Sequence, residues 1–119
     1  MFDDPELQKK LDSMSEAELH HLPFGVIKLS RDLRVSFYSE TEARLSGFGL
    51  RPALNLSFFD DVAPCMVASG LRSAAEQALH DGTLDLEIGH TGDLADPQRL
   101  LRCRIVSSAD RGLWFVIAR

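Results

Sequence analysis

The sequence predicts a single α+β domain in which a five-stranded antiparallel sheet carries helices on one face. Two strand patterns, residues 24–29 and 33–38, precede the helical region, and three more, residues 83–90, 100–106 and 113–118, follow it. Strands at the two ends of a chain with helices grouped between them are typical of an antiparallel sheet with segregated helices. The 119 residues are enough for one domain and too few for two.

The composition excludes several classes of protein. The net charge of −5 leaves no basic surface for nucleic acid or anionic lipid. No apolar run approaches the roughly 18 residues that a membrane span needs, and the acidic N-terminus is unlike a signal peptide. Two cysteines are too few for a disulfide framework and fit free thiols in a reducing compartment. We therefore expect a cytoplasmic protein, monomeric or weakly dimeric, that binds neither nucleic acid nor membranes.

Residues 1–22 are predicted to form an N-terminal helical cap, and residues 23–119 the domain proper. Apolar residues recur at helical spacing from Leu7 to Met14, and Ser15 with Glu18 matches a capping box. Helices this short are not stable alone, so this leader must lie on the rest of the chain. It is either a fixed cover over one sheet face or a segment that can detach.

The middle of the chain alternates helical and irregular segments. Ser39 opens a helix that ends at Gly47, and a longer helix runs from about Val67 to Leu79 and ends at the following Asp-Gly pair. Between them lies a short, irregular and mostly apolar segment. The last strand, which contains Trp114, is the most apolar, and we expect it near the sheet centre.

A single cysteine stands directly behind a proline in the irregular segment. Pro64 fixes its own backbone and biases Ala63 away from the helical region, so Cys65 is held on a stiff, non-helical support. Such a thiol suits the attachment of a ligand. The alternative is an inert buried thiol, which is how free cysteines usually behave. Cys103, in a strand, is predicted to be a sheet-core residue.

Tyr38, Glu42 and Ser46 are spaced four apart at the entry to a helix, so they lie close to one helix face. If that face points inward, Glu42 is a buried acid. Without a cationic partner it stays protonated, and it then joins the Tyr38 hydroxyl as a hydrogen-bond donor to an anion. The alternative places Glu42 in solvent, as the second half of a capping box that begins at Ser39.

Two strings of the sequence resemble a known family. Phe24-Gly25-Val26-Ile27 and Asn55-Leu56-Ser57-Phe58-Phe59-Asp60-Asp61-Val62-Ala63-Pro64-Cys65, with the Tyr38, Glu42 and Ser46 triplet, look like the photoactive yellow protein (xanthopsin) branch of the PAS domains. The resemblance runs from the helical leader to the strand with Trp114, and it implies a PAS-like sheet.

The resemblance also implies a cofactor. In that family the cysteine matching Cys65 carries p-coumaric acid (4-hydroxycinnamic acid) as a thioester. The phenolate of this chromophore accepts hydrogen bonds from residues matching Tyr38 and a protonated Glu42, and Ser46 would hydrogen-bond Tyr38. The other residues expected around the chromophore are Ile27, Phe48, Val62, Ala63, Pro64 and His90. We expect no metal ligands and no catalytic nucleophile.

The implied function is that of a bacterial blue-light photoreceptor rather than an enzyme. Light isomerises the chromophore, Glu42 gives up its proton, and the resulting buried charge drives residues 1–22 to detach and signal to a separate partner or a fused output domain. The sequence departs from the family at Phe48, where an Arg is usual, and at His90 and Gly92, where aromatics are usual. The alternative is therefore a PAS ligand-sensing or protein-interaction module without a chromophore.

Overall fold

Two short helices begin the chain, and a hairpin, a helical region and a three-stranded meander follow. The computed structural model describes residues 1–49, 53–62, 70–92 and 95–119, except for the Leu71 side chain. The helices are α1 (Leu7–Ser13), α2 (Glu16–His20), α3 (Glu40–Ser46) and α4 (Leu71–Asp81), with a π-helical turn at Phe58–Val62. The strands are β1 (Gly25–Leu29), β2 (Val35–Tyr38), β3 (Asp85–Thr91), β4 (Leu100–Ser107) and β5 (Leu113–Ala118).

The five strands form one antiparallel sheet, as predicted, and their order in it is β2-β1-β5-β4-β3. Strand β5 is central, which fits its apolar sequence and confirms the position expected for Trp114. Strand β2 begins at Val35 rather than at Leu33, because Leu33 has a φ of +61° and donates its backbone N–H to Ser30 within the turn. The predicted start of α4 at residue 67 lies outside the described residues.

Each sheet face is covered by different elements. Because side chains alternate along a strand, Phe115 and Ile117 of β5 point to the face covered by α3, α4 and the π-helical turn. Trp114 and Val116 point to the other face, where they pack against the leader. Two apolar cores therefore lie on opposite sides of one sheet. Among the described residues, no helix has the length and apolar character needed to cross a bilayer.

Polar contacts, in addition to apolar packing, hold the leader on the sheet face that carries Trp114 and Val116. Leu7 and Leu11 are fully buried. Arg104 of β4 is buried beneath the leader and donates hydrogen bonds to the carbonyl oxygens of Phe2 (2.9 Å) and Asp4 (2.6 Å). The same guanidinium contacts both carboxylate oxygens of Asp85 at 3.0 and 2.8 Å. Arg104 thus helps to fix the start of the chain to β4, and Arg102 of the same strand contacts Asp3 at 2.6 Å.

Candidate functional site

Tyr38 and Ser46 meet at the edge of the apolar core on the sheet face that α3 and α4 cover, which we call the helix-side core. Tyr38 is the last residue of β2, Ser46 is the last residue of α3, and their hydroxyl oxygens lie 3.2 Å apart. The hydrogen bond implied by the family resemblance is therefore present. Ser46 Oγ also accepts a hydrogen bond from the backbone N–H of Phe48 at 3.1 Å. Together these contacts fix the direction of the Tyr38 ring.

Phe48 forms a wall beside Tyr38. The two rings are 5.4 Å apart between centroids and tilted by 37°, and Phe48 is almost fully buried. We expected this residue beside the chromophore, in place of an arginine. In the structure the Phe48 ring packs into the helix-side core, because moving a phenyl ring out of water lowers the free energy.

Glu42 is buried against the sheet, with 2% of the residue exposed. Its carboxyl group lies over Gly25 of β1, where an added Cβ would come within 1.8 Å of Oε1. Ser39 caps α3 by accepting the backbone N–H of Glu42 at 3.1 Å. The alternative of a solvent-exposed Glu42 in a capping box is therefore wrong, and the side chain faces the core.

Arg119 pairs with Glu42 inside the protein. Arg119 Nη1 lies 2.8 Å from Oε1 and Nη2 lies 2.9 Å from Oε2, and the two side chains are only 7% and 3% exposed. The expectation that Glu42 has no cationic partner is wrong. A bidentate guanidinium contact favours the ionised carboxylate.

Arg119 was missed in the sequence because it stands 77 positions from Glu42. A usable signal was nevertheless present. Leu113, Phe115 and Ile117 alternate toward the helix-side core, and continuing that period of two places residue 119 on the same face. The alternation along β5 would therefore have identified a cation directed at the site.

Cys103 lies in the same layer, opposite Ile117 on β5, and is a fully buried free thiol. Burial, with a smaller contribution from the nearby Glu42 carboxylate, raises the pKa of Cys103 to about 12, while Arg119 opposes the shift. The prediction that Cys103 is a sheet-core residue is confirmed. A thiol with so high a pKa is almost entirely protonated near neutral pH and is therefore a poor nucleophile.

The remaining predicted residues fall into three groups. Ile27 and Val62 pack in or against the helix-side core with Tyr38 and Phe48. His90 is half-buried on β3 opposite Leu101, and its buried Nε2 has no hydrogen-bond partner among the described atoms. Residues 63–65, which are Ala63, Pro64 and Cys65, lie outside the described residues. Their part in binding a cofactor stays a prediction.

Comparisons with known proteins bear on this arrangement. The photoactive yellow protein of Halochromatium salexigens is 28% identical over 83 residues, which cover 70% of this chain and 66% of that protein. The match thus spans just under two thirds of the relative. The photoactive yellow protein domain of the sensor histidine kinase Ppr from Rhodospirillum centenum has the same fold, with a TM-score of 0.81 at 24% identity. That likeness covers 95% of this chain and 100% of the domain.

The chain resembles the photoactive yellow proteins and has a PAS fold. The PAS domain of the histidine kinase ThkA superposes more loosely, with a TM-score of 0.60 at 19% identity, covering 81% of this chain and 98% of that domain. No protein-family model matches the sequence. The buried Glu42–Arg119 pair and the Tyr38–Ser46 contact thus belong to a PAS scaffold that is similar in sequence to photoactive yellow proteins.

Proposed function

We propose that this chain is the sensory domain of a photoreceptor for the blue end of the spectrum, with p-coumaric acid linked to Cys65 as a thioester. One observation carries the proposal. The ordered hydroxyl pair of Tyr38 and Ser46 and the buried carboxyl of Glu42 stand on the same side of the sheet, in a core that is otherwise largely apolar. A few convergent polar groups in an apolar core are typical of a ligand-binding site, so this cluster favours a ligand-binding role. The similarity in sequence to a photoactive yellow protein supports the same conclusion.

Each residue has a role in this proposal. When bound, the p-coumaroyl group supplies the absorption of light and the isomerisation of a double bond. Tyr38, held by Ser46, would orient the ring oxygen of the ligand through a hydrogen bond. Glu42 and Arg119 would supply a paired charge in the site, and the Phe48 ring would keep water away from the ligand. Pro64 and Ala63 hold the attachment point.

Helix α3 can relay a change at the site to the leader. Glu42 faces the site, while its neighbour Thr41 lies within hydrogen-bond distance of the carbonyl oxygens of His20 (3.1 Å) and Leu22 (2.8 Å). The backbone N–H of Glu40 also donates to His20 Nδ1 at 3.0 Å. A shift of the first turn of α3 therefore strains the contacts of residues 1–22, and we propose that their release is the signal.

The signal requires a receiver. The domain of similar fold from Rhodospirillum centenum comes from a sensor histidine kinase. By analogy, we propose that this domain acts on a fused output domain or a separate signalling protein in the bacterial cytoplasm. It has no catalytic activity of its own in this proposal.

Reconstitution tests the proposed function. The purified chain is treated with an activated ester of p-coumaric acid, so that the Cys65 sulfur displaces the activating group and a thioester forms. We expect a mass gain on the peptide containing Cys65, a new absorption band, and loss of both in Cys65→Ala. Cys103→Ala is the matched control and should react as the wild type does. No mass gain at Cys65, or an equal gain in Cys65→Ala, would refute the proposal.

A second candidate is a PAS ligand-sensing or interaction module without a chromophore. The Phe48 ring against Tyr38 favours it, because it fills space beside the hydroxyl that would hold a chromophore oxygen. His90 and Gly92 replace aromatic residues expected around such a ligand. The same reconstitution separates the two candidates, since this module would leave Cys65 unmodified.

A further inference from the structure

The ring of His20 joins the leader to α3. His20 is the last residue of α2, it is half-buried, and its Nδ1 accepts the backbone N–H of Glu40 at 3.0 Å. The ring also packs on Phe37 of β2, with 4.8 Å between the ring centroids. The first N–H groups of a helix have no acceptor within the helix, so His20 satisfies one of them at the start of α3. This contact is one of those that hold residues 1–22 on the domain.

The direction of this hydrogen bond fixes the protonation state of the ring. A backbone N–H can only donate, so Nδ1 of His20 carries a lone pair and the imidazole is neutral while the contact is made. The adjacent His21 is the opposite case. Its Nδ1 lies 2.7 Å from the carbonyl oxygen of Ala17, which can only accept, so this nitrogen carries the proton. A second proton therefore breaks the contact of His20 and leaves that of His21 intact.

The charged groups that face His20 act in the other direction. The ring lines a groove in which α2 contributes the Glu16 carboxylate and α3 that of Glu40. The groove residues of β2 are uncharged near neutral pH, including the phenol of Tyr38, and so are residues 49, 53 and 54. Both carboxylates belong to exposed residues, and the attraction between exposed charges contributes little. Two donors that face each other cost more, so we expect the loss of the hydrogen bond to dominate.

We propose that His20 makes the docking of the leader sensitive to acid: a neutral ring holds residues 1–22 against α3, and uptake of a proton at Nδ1 favours their release. Every group in this inference belongs to the protein, so it does not depend on the proposed chromophore. It goes beyond the proposed function by making acid a second condition that favours the detached leader.

The sign and size follow from the coupling of proton binding to docking. A histidine in water takes up its proton near pH 6.5, and in this proposal only the detached leader can take it up at Nδ1 of His20. The contact is therefore fully present at neutral pH and is lost as the pH falls below about 6.5. If docking excludes the proton completely, the ratio of detached to docked leader rises about tenfold between pH 7.5 and pH 5.5.

The first test uses the wild-type chain without any ligand. In ¹⁵N-labelled protein at pH 7.5, NMR should detect a scalar coupling across the hydrogen bond from the Glu40 amide nitrogen to Nδ1 of His20. At pH 5.5 we expect this coupling to weaken. Exchange of the Glu40 amide proton, corrected for its intrinsic pH dependence, should be about fivefold to tenfold faster than at pH 7.5. Unchanged or slower corrected exchange at pH 5.5 would overturn the inference even if every variant failed to fold.

The second test uses a variant that cannot titrate. His20→Asn places an amide oxygen near the position of Nδ1, so it keeps an acceptor for the Glu40 N–H. We expect this variant to hold the leader at pH 7.5 and to show the same corrected amide exchange across residues 16–20 at pH 5.5. His21→Asn is the matched control, because it removes the neighbouring histidine and should keep the wild-type response to pH. An equal response in the wild type and in His20→Asn would overturn the inference.

This result and the reconstitution at Cys65 are separate. If no thioester forms, the proposed photoreceptor function is refuted, while the exchange data still decide whether His20 couples docking to pH. If the thioester forms but His20→Asn responds to acid as the wild type does, the function stands and the present inference falls.

Discussion

The indole Nε1 of Trp114 donates a hydrogen bond of 2.7 Å to Oδ1 of Asp12, so the central strand holds the first helix through one carboxylate. Asp12 also accepts from the Ser108 hydroxyl at 2.7 Å and from the Ala109 backbone N–H at 3.0 Å. This carboxylate therefore joins α1 to β5 and to the β4–β5 turn at one point. It is a compact target for testing how firmly the leader is held.

Asp12→Asn should loosen the leader. The amide has one acceptor oxygen where the carboxylate has two, so either the indole or the Ala109 N–H faces an amide donor. We expect a loss of about 1–3 kcal/mol in the free energy of docking α1. Amide hydrogen exchange across residues 7–13 measures it. Glu76→Gln, on the exposed surface of α4, is the control, and equal exchange in both variants would contradict the role of Asp12.

Acid should weaken the same contact. Burial raises the pKa of Asp12, but the hydrogen bonds from Ser108, Trp114, Ala109 and Gln8 outweigh it, so the pKa lies below its ordinary value. A lowered carboxyl pKa stabilises the fold above the unfolded value of about 3.9, and this stabilisation disappears as the pH falls through the lowered pKa.

The measurement is the free energy of unfolding in urea as a function of pH. The difference between wild type and Asp12→Asn should shrink as the pH falls from about 5 to about 2, because protonation removes the advantage of the wild-type carboxylate. A difference that stays constant over this range would show that the charge of Asp12 contributes nothing.

Gly25→Ala should disrupt the Glu42–Arg119 pair. The new methyl group would overlap Glu42 Oε1, which lies 1.8 Å from the ideal Cβ position. Overpacking at such a site destabilises by about 1–3 kcal/mol. Gly89→Ala is the matched control, since a Cβ there comes no closer than 4.0 Å to Leu101 O. Equal urea midpoints for the two variants would argue against a tightly packed carboxyl group.

Cys103 should resist alkylation in the folded protein. Its pKa of about 12 leaves roughly one thiolate in 10,000 at pH 8, and the side chain is fully buried. Mass spectrometry of the peptide containing Cys103 after iodoacetamide treatment should show the free thiol, and the same treatment in urea should show complete labelling. Labelling in the folded state at the unfolded rate would mean that the strand opens readily.

Local patterns were enough to predict much of this fold. The period of two in the strand sequences and the capping signals at Ser15 and Ser39 depend on neighbouring residues, and the structure confirms both caps. The Tyr38–Ser46 contact likewise joins residues only eight positions apart, from the end of β2 to the end of α3. These features were predictable because the interactions that produce them span only a few residues.

The charge of the site was not predictable in the same way. The cationic partner of Glu42 is Arg119, which the pairing of β5 with β1 brings to it although the two residues stand 77 positions apart. The contact of Arg104 with Phe2 likewise joins residues 102 positions apart. The sequence determines which charged and polar residues are present. It does not determine which of them are close in space, because residues so far apart along the chain come together only when the sheet assembles.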